Sequence, residues 1–131
     1  MLRRPWYKGV LPGSALLVLL GGCASSHQAE VERVASAFAD PAADPGERCD
    51  LLAPTTLASF EESSSAPCAE AIGELPTDDG EARSVEIWGG DAQVALAGDT
   101  VFLTETDTGW RVTAAVCQAR TDAPYDCEVE P

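Results

Sequence analysis

Cysteine placement constrains this chain more tightly than any other feature. Five cysteines occur, at positions 23, 49, 68, 117 and 127. An odd number cannot all pair within one chain, so one thiol has a separate fate. Zinc would take close CxxC-type pairs or histidines. Here Cys49 and Cys68 are 19 residues apart, Cys117 and Cys127 are 10 apart, and His27 is the single histidine. No metal site and no cofactor is expected. Outside the cytoplasm, an even set of four in a small domain is normally oxidised. Four cysteines allow three pairings. The local one, Cys49–Cys68 with Cys117–Cys127, is expected because each pair then lies within one structural section. Loop closure gives each bridge about 3 kcal/mol. That is a large share for a chain of 131 residues, long enough for one domain with a small core.

The N-terminus reads as an address. Residues 1–8, MLRRPWYK, carry Arg3, Arg4 and Lys8 and no acid, and residues 9–20, GVLPGSALLVLL, are apolar. Spanning a bilayer takes about 20 apolar residues, more than this run supplies. Pro12 and Gly13 would break a buried helix. A basic start before a short apolar core is the pattern of an export signal. Leu20-Gly21-Gly22-Cys23, at its end, resembles the lipobox of bacterial lipoproteins. A thiol is needed there to form the thioether to diacylglycerol, and small residues let a peptidase reach the bond before Cys23. Lipidation of Cys23 is expected, and it accounts for the odd cysteine. Two acyl chains, at about 0.8 kcal/mol per buried CH₂, suffice for stable anchoring. Arg3-Arg4 has some likeness to a twin-arginine signal, but Leu2 stands where Ser or Thr is usual, so the general secretory route is expected. The chain then divides into a signal peptide over 1–22, a lipidated cysteine and polar tether over 23–29, and one domain over 30–131. The expected location is the extracytoplasmic face of the cell membrane.

From Cys23 onward the chain has five arginines, no lysine and 22 acids, a formal side-chain charge of −17. No basic surface exists to neutralise phosphates, so nucleic acid is excluded as a partner. Anionic headgroups repel such a surface. The charge either keeps the domain off the bilayer or reflects compositional drift toward Ala, Gly, Asp and Arg. His27 falls in the tether and reads as solvated.

Helical patterns come first along the domain. Val31, Val34, Ala35 and Phe38 share one helix face, and Asp40-Pro41 stops that helix. Asp44-Pro45-Gly46-Glu47 is a capping box opening a second helix that carries Cys49, Leu51 and Leu52. Pro54 interrupts it, and a helical segment resumes through Leu57 and Phe60. A third short helix is expected over 67–75, with Cys68 in its first turn. After the loop 76–80, which holds Asp78-Asp79, the period changes to two. Strands are expected over 82–88 (Val85 and Ile87 on one face), 93–97, 100–106 (Phe102 opposite Val101 and Leu103) and 110–116. Two- and three-residue Gly/Asp turns join them into an antiparallel meander. Helices followed by strands give an α+β fold, with the helices on one face of the sheet. Residues 118–131 have no clear periodicity, and Cys127 would pin them to the fourth strand.

This order of elements, with Gly109-Trp110 before the last strand, resembles the NTF2-like/cystatin-like α+β folds, in which N-terminal helices pack on a curved antiparallel four-strand meander. Cys49-Asp-Leu-Leu-Ala-Pro54, Cys68-Ala-Glu-Ala, Gly109-Trp-Arg-Val-Thr-Ala-Ala and Pro124-Tyr-Asp-Cys-Glu-Val-Glu130 together resemble a family of uncharacterised actinobacterial secreted lipoproteins. The resemblance spans residues 28–130 and implies an anchored domain with paired cysteines and no known activity.

Catalytic motifs are missing from the sequence: there is no GxSxG, no Gly-rich phosphate loop and no HExxH. Trp88, Phe102 and Trp110 are the candidate lining of a sheet–helix pocket, although aromatics at strand spacing are more often core. The expected function is a non-catalytic module that binds a small apolar ligand or an envelope protein. The alternative is an isomerase- or cyclase-type enzyme using a buried carboxylate, with Glu86 the best candidate.

Overall fold

The computed structural model describes residues 9, 13, 22–77, 80–122 and 124–131, with backbone alone at 22–25. Apart from residues 9, 13 and 22, the expected signal peptide lies outside the described residues, as do the side chain of Cys23 and the Asp78-Asp79 turn. The elements are α1 (Gly22–Ala39), α2 (Pro45–Asp50), α3 (Pro54–Ser64), α4 (Cys68–Ala71), a 3-10 turn (Ile72–Glu74), and strands β1 (Ser84–Trp88), β2 (Asp91–Ala95), β3 (Thr100–Thr106), β4 (Gly109–Gln118) and β5 (Asp126–Val129). The architecture is α+β. The sheet has five antiparallel strands in the order β1-β2-β3-β4-β5, which corrects the expected four.

Each element follows from local chemistry. The Asp44 carboxylate accepts a hydrogen bond from the Glu47 amide at 3.1 Å and caps α2, with Pro45 at its first position. Pro54 then starts α3 afresh. Between α2 and α3 the chain is extended and docks on β4: the Ala53 amide donates to the Val112 carbonyl, and the Val112 amide donates to the Leu51 carbonyl, each at 2.8 Å. Two-residue turns join β1 to β2 through Gly89 (φ 62°) and β3 to β4 beside Gly109 (φ 104°). Both glycines occupy backbone conformations that a side chain would strain.

The core lies between the helices and one sheet face. Val31, Val34, Ala35 and Phe38 of α1 pack with Val94, Val101, Leu103, Trp110 and Val112, all at most 1% exposed. The outer sheet face carries Glu86, Gln93 and Phe102, which are register partners.

Two segments depart from the sequence reading. Residues 24–29, read as an extendable tether, continue α1. Ala24 to Ala29 contains no Gly or Pro, and docking of the helix on the sheet stabilises the extra turns. The tail is not featureless: β5 pairs Cys127 with Cys117 and Val129 with Ala115. Val129 is 1% exposed, and that burial together with the ladder outweighs the weak pattern.

Candidate functional site

The structure joins Cys49 to Cys68 and Cys117 to Cys127 as disulfides. It does not bring the three candidate pocket residues together. Trp110 is 1% exposed and sits in the core. Phe102 lies on the opposite face, where its ring meets Tyr125 edge-on at 5.1 Å. Trp88 is 50% exposed at the end of β1. Alternation explains the split, because Phe102 is adjacent in sequence to the core residues Val101 and Leu103. Glu86 is exposed on the outer face beside Gln93. His27 is half-buried and not a free tether side chain: its Nδ1 accepts a hydrogen bond from Trp110 Nε1 at 3.4 Å.

Sequence reasoning missed the polar hub of the helical half. Arg48 is 2% exposed. Its Nε donates to the Phe38 carbonyl (2.8 Å), and its terminal nitrogens donate to the Ile72 carbonyl (3.3 Å) and Thr77 Oγ1 (3.2 Å). The guanidinium also lies 5.5 Å from the centre of the Phe38 ring, within cation–π range. Burial pushes its pKa below the ordinary value, and the Asp40 charge opposes that. One side chain thus ties the end of α1 to α2, the 3-10 turn and the loop after it.

On this frame sits a groove of about 510 Å³ between α3, α4 and β5. Its floor is Phe60, Ala66, Ala71 and Leu75, and its rim carries Glu70, Glu74 and Glu128. Local bonds shape it. α3 ends at Ser65 in the left-handed region, Glu61 accepts from the Cys68 amide at 2.9 Å, and Cys68 is bonded to Cys49 on α2. The rim glutamates have no cationic partner among the described residues, where the single ion pair is Arg120–Asp126 at 3.8 Å. An apolar floor under three carboxylates suits an apolar body bearing a positive charge. A second groove, about 470 Å³, runs from Asp50 and Leu57 to Thr108 and Arg111 and mixes both charge signs.

Among the described residues no three potential ligands are grouped to hold a metal, and no helix is long and apolar enough to cross a membrane. No protein-family model, curated protein or solved structure matches the chain.

Proposed function

We propose that the protein is a lipoprotein held on the extracytoplasmic face of the membrane through Cys23, whose NTF2-like/cystatin-like domain acts as a non-catalytic binding module. The observation that carries the binding role is the groove over Phe60, Ala71 and Leu75, rimmed by Glu70, Glu74 and Glu128. Its ligand is a small molecule with an apolar body and a cationic group. Burial of the body supplies affinity, and three unpaired carboxylates select the charge. Support for the anchor comes from the basic start, the apolar run and Leu20-Gly21-Gly22-Cys23. Helices followed by an antiparallel meander support the fold assignment.

Native mass spectrometry of the protein, gently extracted from its own membranes, tests the binding role. A discrete adduct beyond the acyl mass is expected, lost in the Glu70→Lys/Glu74→Lys variant. Both positions are exposed, so the fold tolerates the change. A bare acylated chain, with no mass shift on adding alkylammonium probes, would overturn the reading.

A further inference from the structure

Three large apolar side chains are exposed among the described residues: Ile87 (36%), Trp88 (50%) and Tyr125 (38%). Tyr125 is accounted for, since its ring packs on Phe102 and its hydroxyl accepts from Gln93 at 3.4 Å. The Trp88 indole has no ring contact or hydrogen bond among the described residues. Its place in the fold is specific. Trp88 pairs with Asp91 across the β1–β2 turn, and Asp91 pairs with Thr104. The Glu105 amide donates to the Gly90 carbonyl at 2.8 Å, so the β1–β2 and β3–β4 turns lie at the same end of the sheet. His27, in the first turns of α1, meets Trp110 at that same end. Because α1 begins at Gly22, the helix carries Cys23 outward from there with no flexible spacer.

We propose that Trp88 is a second membrane contact, while Ile87, next in the strand, faces the other side of the sheet. Trp88 seats in the headgroup layer of the bilayer that holds the acylated Cys23 and turns the 89–91 and 107–109 loops toward the lipid. The inference rests on the reading that Cys23 is lipidated. An indole is amphipathic and favours the interface, with its ring against acyl chains and its N–H toward water. The anchor makes the contact intramolecular, so an interaction too weak to hold a free domain is populated once the chain is tethered. Glu30, Asp91, Glu105 and Asp107 occupy this end of the molecule. Their charge opposes anionic headgroups and limits the contact to the Trp88 indole.

The test uses the protein extracted from its own membranes and mixed with phosphatidylcholine vesicles, with plain chains or chains brominated near the headgroup. Flotation is scored first. The Trp88→Phe variant then isolates the emission of Trp88 from that of Trp110, which is 1% exposed. The expected result is a loss of Trp88 emission of at least about twofold in brominated vesicles, with Trp110 unchanged. Protein that floats while Trp88 emits equally in both lipids overturns the contact and leaves the anchor standing. Protein that does not float overturns the anchor, and the contact with it.

Discussion

The two disulfides secure regions that differ in what else holds them. Cys49 and Cys68 join helices of six and four residues, too short to be stable alone. That region depends on the bridge, on the buried Arg48 and on the strand-like contact of Leu51 and Ala53 with Val112. Cys117 and Cys127 instead face each other across an existing β4–β5 ladder. There Asp99 adds a second clamp, its carboxylate accepting from the amides of Val116 (2.9 Å) and Cys117 (2.8 Å). Val116 has φ 55°, a costly conformation for a β-branched residue, and the carboxylate holds it. Where elements cannot sustain their own hydrogen bonding, a cross-link and a buried guanidinium substitute for it. Where a ladder exists, the cross-link fixes only its last strand.

Replacing Arg48 breaks the helical half most. Arg48→Ala leaves the Phe38 carbonyl without a donor and strips the Ile72 carbonyl of one of its two, the Leu75 amide remaining, and is expected to cost about 4 kcal/mol in urea unfolding. Arg48→Lys recovers only part of this, since an ammonium lacks the planar fork. A loss below about 1 kcal/mol would remove the hub from the comparison. Next comes the Cys49→Ala/Cys68→Ala pair, expected to lose about 3 kcal/mol globally and the groove adduct with it. Asp99→Asn keeps the shape but has one acceptor oxygen for amides that now use two. We expect a cost of about 2 kcal/mol, read by thermal unfolding. Smallest is Cys117→Ala/Cys127→Ala. Without the bridge, β5 opens as a local unit before the domain unfolds, so less than the loop-closure value is lost globally, about 1 kcal/mol, and the effect is read as faster amide exchange at residues 126–129. Equal global losses for the two disulfide pairs would erase the distinction.

Much of the fold was legible because local signals agreed with tertiary demand. The Val31/Val34/Ala35/Phe38 stripe, the Asp44 cap, Pro54 and the Gly/Asp turns each mark an element that the structure contains. β5 was obscured because it is four residues long among acids and prolines. Its one signal was Cys127 and Val129 at a spacing of two, between Asp126, Glu128 and Glu130. Arg48 and Asp99 were illegible in kind. A capped helix and a Gly-Asp turn look the same whether their charged side chains meet solvent or distant backbone. The groove was hidden for the same reason, because Phe60, Leu75 and Glu128 are brought together by tertiary contacts, not by sequence spacing. The expected aromatic pocket failed on alternation: Phe102 and Trp110 belong to opposite sheet faces, and Trp110 is needed as core.

The central proposal is a disulfide-built binding domain set directly on a lipidated Cys23. Intact mass of the chain extracted from its own membranes, before and after reduction, tests this most directly. The predicted result is a chain beginning at Cys23 with diacylglyceryl mass attached, gaining four hydrogens on reduction for the two disulfides. A chain that retains residues 1–22, or one that starts at Cys23 without lipid, would contradict it.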